Sequence, residues 1–429
     1  MYKFYLILLS SLVIVTEFKA FTNEFKITPG EHEIGMRTRY QSVDDVWRGD
    51  ATAFTTRINL TSTFSLDDDQ QWKFQIQPNY VFAFNENDFS SVTTTKNTYH
   101  IPDPEGFNLS KVYLAYDSDG NWQLTLGRQN LSFNNERFIG GEDFWQTPQN
   151  FDAFKFDFND QMNWHIQYAY SNKVHRFFGK NSTLDIPKND VRYADYLAGT
   201  IDHRPLNELG EHSMNAHLLN VEFKTDNNLS FVAYDYLLEN KSQPLFSTQT
   251  FGVRISDEIK PSNLKYRYTV EYALQQDQYN NPKDYQGWYS LLQASIQYQS
   301  HLFELSQETF SENNRGDVFI TPLGSNHKFQ GWADVFTGYG KSVGLRDQYF
   351  TYKWRYKKIR WRTVLHHFKD YTTGVNIGNE LDIELTYRAT RKWEFKLVYA
   401  SYMAKEGLDS FGKTKSDITS WFVSVTYNI

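Results

Sequence analysis

The densest concentration of chemistry-bearing residues is basic. Lys353, Arg355, Arg360 and Arg362 fall within ten positions, two on each side of Lys357-Lys358. Guanidinium groups are permanently charged and match a carboxylate with two parallel hydrogen bonds, so such a cluster suits the concentration of anions. Other motifs promise less. Gly407, Gly412, Lys413 and Thr414 match a phosphate-binding loop, but that loop needs a strand before it and a helix after it. Here a strand-like stripe follows, and a polar hairpin loop is the expected structure. Asp117-Ser118-Asp119-Gly120-Asn121 opens like a calcium loop, but no Glu closes it, and a tight Asp-Gly turn accounts for it. The 11 His form no helical zinc signature, and His366-His367 must face opposite sides of one strand. With Cys 0 there are no disulfides or thiolate ligands. Neither a metal nor a cofactor is expected. The absence of a Gly-x-Ser-x-Gly elbow argues against an enzyme, leaving a Ser/His site on a rim as the alternative.

The elements that must position the basic cluster are strands. The chain has 429 residues, 17% of them aromatic and only 40% hydrophobic, with net charge −7. Its length alone suggests about three domains, although all-β barrels run longer as one unit. No bulk basic surface points to nucleic acid. Many aromatics in a chain of negative mean hydropathy suit strands that alternate apolar and polar residues. Leu264, Tyr266, Tyr268, Val270, Tyr272 and Leu274 occupy every second position, with Lys265, Arg267, Thr269 and Glu271 between them. Leu381 to Tyr387 and Trp393 to Tyr399 repeat the pattern.

Strands are predicted near 31–41, 51–66, 71–84, 107–117, 121–131, 151–158, 161–172, 213–224 and 228–239. Further ones follow near 247–256, 263–276, 287–299, 301–312, 346–356, 358–368, 379–389, 392–403 and 417–429. Short links alternate with long ones such as 85–106, 132–150, 173–212, 313–345 and 404–416. A soluble sandwich has no reason to alternate so, whereas a transmembrane barrel has short periplasmic turns and long extracellular loops. The predicted fold is all-β: a single-domain antiparallel transmembrane barrel of about eighteen strands in the bacterial outer membrane, with outer-membrane lipid around it. Trp393 and Tyr399 are expected at the lipid interface. Trp421, Val423, Val425, Tyr427 and Ile429 form an apolar stripe at the end of the chain, which suits a closing strand presented to the barrel assembly machinery. Residues 1–20 read as a secretory signal, with Lys3 before an apolar run from Tyr5 to Val15. The barrel then spans 21–429.

If each apolar row faces lipid, the other face lines a lumen. That assignment places fifteen basic side chains inside, among them Arg37, Arg39, Arg57, Arg254, Arg267, Lys353, Arg355, Arg360 and Arg362. Nine acids join them, among them Glu271, Glu304, Glu308, Asp382 and Glu384, leaving an expected excess of six positive charges. Arg355 and Arg360 should stand nearly opposite each other across a tight turn. The segments 132–150 and 313–345 carry Trp145, Phe329 and Trp332, more aromatic content than a solvated loop needs. At least one of them is expected to fold inward and narrow the passage.

Two stretches resemble the alginate export family of outer-membrane barrels. One runs through Leu126-Gly127-Arg128-Gln129-Asn130 and Asn134-Asn135-Glu136-Arg137-Phe138 to Trp145 and Phe151-Asp152-Ala153. The other runs through Pro322-Leu323-Gly324-Ser325-Asn326-His327 and Gly331-Trp332-Ala333-Asp334 to Gly344-Leu345-Arg346-Asp347. The resemblance covers most of residues 30–429. It implies a pore lined by Arg and Lys with some acids, with Arg128, Arg137 and Asp152 as pore positions. It also implies passive passage of an anionic polysaccharide or oligosaccharide such as alginate. A general or small-anion porin is the alternative, and a barrel enzyme or surface receptor a more distant one. Alternation sets Arg128 on the face of Leu124 and Leu126, so either the strand bulges at Gly127 or Arg128 lies beyond the bilayer. Glycine within a strand favours the bulge.

Overall fold

The computed structural model describes residues 30–429 apart from 47, 119, 183, 203–205, 314, 337–343 and 406–415. The expected signal segment and the phosphate-loop-like motif lie outside the described residues. Among those described there are eighteen strands. The first nine are β1 (His32–Asp45), β2 (Ala51–Ser65), β3 (Trp72–Ala83), β4 (Gly106–Asp117), β5 (Trp122–Gln129), β6 (Asn150–Asn159), β7 (Trp164–His175), β8 (Glu211–Lys224) and β9 (Ser230–Asn240). The others are β10 (Thr248–Ile259), β11 (Leu264–Asp277), β12 (Gln286–Tyr298), β13 (His301–Phe310), β14 (Leu345–Tyr356), β15 (Ile359–Asp370), β16 (Asn376–Arg388), β17 (Trp393–Ala404) and β18 (Ile418–Asn428). Each pairs antiparallel with its sequence neighbours, and β18 pairs with β1 from Gly35↔Asn428 to Asp45↔Ile418, so the sheet closes. Closure leaves no exposed edge, the only form in which a sheet survives in lipid.

The period-two pattern does what the physics requires. Leu126, Val270, Leu305, Phe395, Trp421 and Val423 face outward and are exposed. Trp393 stacks on Tyr427, and Tyr399 on Trp421, on the same outer face. The tight turns close with two residues, Gln299-Ser300 and Lys357-Lys358, in which Gln299 (φ 52°) and Lys357 (φ 50°) take the left-handed conformation. Such turns match the right-handed twist of the flanking strands. β1 runs four residues beyond its expected end because Gln41, Ser42 and Val43 continue both ladders.

Candidate functional site

Inside the barrel, three long connections fold inward and interlock. The segment between β5 and β6 packs Phe138 against Tyr234, Tyr236, Tyr289 and Phe319, with ring centroids 5.2–6.3 Å apart. Burying such a ring contributes roughly 2–3 kcal/mol. The segment between β13 and β14 is tied to it through the backbone. Gly140 N–H donates to Leu323 O, and Ser325 N–H to Glu136 O, both at 2.9 Å. Gln149 Nε2 donates to the Gly140 and Leu323 carbonyls, both at 2.9 Å. The expected inward fold therefore holds for both aromatic segments. The segment between β3 and β4 joins them, with the Tyr99 hydroxyl donating to Ala333 O at 2.9 Å. The sequence gave no warning of this third member beyond Asp103 standing between Pro102 and Pro104.

Wall arginines clamp the loops. Arg37 Nε donates to Gln146 Oε1 at 3.0 Å, and its other nitrogens reach the carbonyls of Asp143 and Trp145. Arg39, 2% exposed, pairs with Asp103 and lies 4.8 Å from the Phe144 ring centre. Removing one partner of a buried pair costs roughly 3–5 kcal/mol, so Arg39 fixes the position of the loops. Arg137, 0% exposed, sits between the rings of Phe310 and Phe329, 3.6 Å from the Glu308 carboxylate. None of its guanidinium nitrogens has a hydrogen-bond partner among the described residues. Acids hold the opposite side. Asp382 accepts from Trp332 N–H, Glu380 accepts from Ala333 N–H at 2.7 Å, and His366 Nδ1 lies 2.9 Å from Asp347. His367 faces the other way, to Asn379, as the alternation requires.

Glu142 is the loop's titrating group. Burial pushes its carboxyl up to about 8, against the pull of Asn326 N–H and Arg176, while nearby Asp334 pushes the same way. Its Oε2 has no partner among the described residues. The docked loop thus holds this proton more tightly than an undocked one, for which the ordinary value is 4.5. Docking should weaken as pH rises from about 4.5 to about 8 and level off above that. Open-channel current noise recorded at pH 5, 6.5 and 8 should increase with pH in the wild type and stay flat in Glu142→Gln. A wild type with no such trend would remove Glu142 from the loop's energetics.

Beneath the loops a lumen cavity of about 230 Å³ is lined by Arg254, Lys328, Lys353 and Arg362, by Glu304 and Glu308, and by the rings of Phe329, Trp332 and Tyr349. The registers Lys353↔Arg362 and Arg355↔Arg360 place the four sequence-predicted bases in facing pairs. Like charges across a ladder repel, and the neighbours offset only part of this. Arg360 bonds Glu394 at 2.8 Å, and Arg362 lies opposite Glu384, which Lys396 already engages at 3.3 Å. Lys353, Arg355 and Arg362 make no ion pair among the described residues. Arg267, near the same barrel end, bonds Glu258 and Gln297.

Two expectations need correction. The register runs without a shift through Tyr113↔Gly127 and Val112↔Arg128, so β5 has no bulge at Gly127. Arg128 therefore keeps the outer face of Leu126 and binds Asp152, its cross-strand partner, at 2.7 Å. Neither side chain lines the lumen. The bulges fall on β6 and β7 instead, at Asp152/Ala153 and Ser171/Lys173. The expected excess of six positive charges also disappears. Alternation along the strands puts Asp45, Asp117, Glu258, Asp277, Asp347, Asp370 and Glu380 on the inner face, against one additional base, Lys224. Wall charge is balanced overall and uneven locally: Asp347, Glu380 and Asp382 are buried beside the loops, and unpaired bases lie on β14 and β15 toward the short-turn end.

Comparison with known proteins agrees with this architecture. A family model described as alginate export matches residues 29–338. The chain is similar in structure to OccK9 (OpdG) of Pseudomonas aeruginosa, with 10% identity and TM-score 0.64, over 93% of this chain and 97% of that one. It is similar to OpdK of the same organism, solved with vanillate, with 11% identity and TM-score 0.65 over 93% and 98%. Acinetobacter baumannii OccAB2 gives 12% identity and TM-score 0.64 over 93% and 98%. At these identities the likeness concerns the fold, that of outer-membrane porins. No curated protein matches the chain. Porins and export channels are not enzymes. A closed eighteen-stranded barrel with loops folded into it, matched over most of its length by that family model, is a passive channel of the bacterial outer membrane, and the chain belongs to the alginate export family.

Proposed function

We propose that the channel passes an anionic saccharide chain, of the uronate type that alginate represents, through the space beneath the inward loops. The cavity where Arg254, Lys328, Lys353 and Arg362 meet the rings of Phe329, Trp332 and Tyr349 carries this reading. A uronate polymer offers one carboxylate per sugar and an apolar face on each ring. The cations suit the first and the aromatic rings the second. Glu304 and Glu308 keep any single site weak, and conduction needs weak, repeated sites. Arg355, Arg360 and Arg267 extend the basic track toward the periplasm. Arg37, Arg39 and Arg137 act on the substrate indirectly, by fixing the loops that bound its path. Arg128 and Asp152 lie off the path.

A second reading is a channel for small carboxylates. The fold likeness to OpdK, solved with vanillate, favours it. Planar-bilayer recording separates the two. Oligouronates should interrupt the current and a neutral oligosaccharide of equal length should not. Lys353→Gln/Arg362→Gln should weaken the block about tenfold, the loss of one charge-assisted contact. If vanillate permeates while oligouronates neither block nor permeate, the small-carboxylate reading replaces the first.

A further inference from the structure

The barrel wall is incomplete at one place. β5 pairs with β4 only from Val112↔Arg128 downward, because the chain after Gln129 turns into the lumen. Residues Gly106–Lys111 of β4 keep β3 on one side and have no strand on the other. Side chains patch that edge instead. Arg128 Nη1 donates to Leu109 O at 3.1 Å, Asn108 Nδ2 to Thr147 Oγ1 at 3.2 Å, and Lys180 N–H to Asn108 Oδ1 at 3.3 Å. A cavity of about 270 Å³ remains in the gap, lined by Arg128, His175, Arg176, Lys180, Asn150 and Glu211 among others.

The height of this gap follows from its surroundings. Arg128, Asp152, His175 and Glu211 form one row across four neighbouring strands on the outer face, linked at 2.7, 2.8 and 3.0 Å. Lys173 closes the row on Glu211 at 3.2 Å. Cations on the lipid face cost roughly 2–4 kcal/mol at the bilayer midplane and almost nothing at its edge. An ionic row on the face of Leu126, which is 62% exposed, therefore marks the headgroup level of the outer leaflet. Lys180 stands at the same opening, 5.0 Å from the ring of Phe107, which is 45% exposed.

We propose that this wall gap binds the phosphorylated headgroup of an outer-leaflet lipid. Arg128 keeps N–H donors beyond those given to Asp152 and Leu109, Lys180 adds a mobile ammonium at the mouth, and the buried Arg176 lines the interior. Asn108 and Asn150 supply neutral donors. The acid lining the cavity is Glu211, engaged by Lys173 and His175. Arginine with lysine is the natural pairing for phosphate, and basic recesses at headgroup depth select anionic lipids. Acyl chains would lie along the apolar wall of Leu126, Val112 and Phe107.

The test uses the full-length barrel, purified free of lipopolysaccharide in uncharged detergent. Diphosphoryl lipid A, its dephosphorylated form and inorganic phosphate are titrated separately and read by native mass spectrometry and by thermal melting. Diphosphoryl lipid A should bind and raise the melting temperature, and the dephosphorylated form should not. Lys180→Glu, an exposed site whose change leaves the ladder intact, should weaken binding about tenfold or more. Arg128→Gln should do the same where heat-shifted gel mobility shows a folded barrel. Equal binding of the two lipid forms, or a Lys180→Glu protein that binds like the wild type, would overturn the proposal. Inorganic phosphate that competes fully at concentrations like those of the lipid would leave a free-anion site and equally defeat the lipid assignment.

Discussion

A barrel in which residues 134–148 are replaced by a short Gly-Ser link should conduct several times more current than the wild type. The replacement is geometrically permitted. Gln129 and Phe151 are cross-strand partners, so the two ends lie about 5 Å apart, and β5–β6 can close as an ordinary hairpin. The effect should exceed the volume removed, because this segment latches the others. Gly140 and Glu136 hold the backbone of Leu323 and Ser325, and Glu142 Oε1 accepts from Asn326 N–H at 2.5 Å. Asp103 Oδ1 accepts from Gln146 N–H at 2.7 Å. Deletion frees the segment between β13 and β14 from one of its two supports, leaving Asp382 and Glu380 to hold Trp332 and Ala333. It also exposes Tyr234, Tyr236 and Tyr289 on the inner wall. Single-channel recording on protein with normal β circular dichroism and heat-shifted gel mobility supplies the measurement. A correctly folded deletion protein with unchanged conductance would mean that the ions pass somewhere this loop does not narrow.

Strands were more legible than their inner surface, and for a physical reason. Lipid imposes an apolar outer row on each strand, so the period-two signal reports on the membrane directly. All eighteen strands and the facing pair Arg355↔Arg360 follow from it. The inner face meets two solvents. Low in the barrel it meets water and is polar, and there the basic residues were found. Higher up it meets the folded loops. Val232, Tyr234, Tyr236 and Leu238 on β9 point inward and are buried, so apolar character no longer marks lipid. Asp235 and Glu239 take the outer face there. Asp347 and Glu380 shared the alternation of Lys353 and Glu384 and could have been counted by the same rule. Arg128 marks a different limit. A glycine in a strand permits a bulge without requiring one, and Gly127 adopts φ 124° with Val112 O and Tyr113 Cα close to where a side chain would stand. Close approach of the neighbouring strand explains the glycine without any change of face.

The reversal potential under a KCl gradient should show anion preference in the wild type and cation preference in Arg355→Glu/Arg360→Glu/Arg362→Glu. With inner-wall acids and bases in balance, net charge cannot produce the preference, so local imbalance must. It lies where Lys353, Arg355 and Arg362 stand on adjacent strands without ion-pair partners among the described residues. The acids that would balance them are engaged elsewhere. Glu384 is held by Lys396, Glu394 is shared by Arg360 and Arg388, and Asp382 lies under Trp332. In a narrow, low-dielectric passage an unbalanced cluster focuses potential and concentrates counter-ions. Three reversals shift that zone by six unit charges and set new carboxylates beside Glu384 and Glu394, so the sign of the selectivity should invert. Arg362 also lies 4.9 Å from the Trp332 ring centre, so Arg355→Glu/Arg360→Glu serves as the variant that leaves the loop contact alone and should move the potential in the same direction by less. Because guanidinium groups stay charged at ordinary pH, the wild-type preference should persist between pH 5 and 8. Screening falls from about 8 Å at physiological salt to about 3 Å at 1 M, so the preference should shrink as salt rises. A cation-selective wild type would show that the acids by the loops, chiefly Asp347, Glu380 and Asp382, govern permeation, and the polyanion proposal would fall with the charge argument.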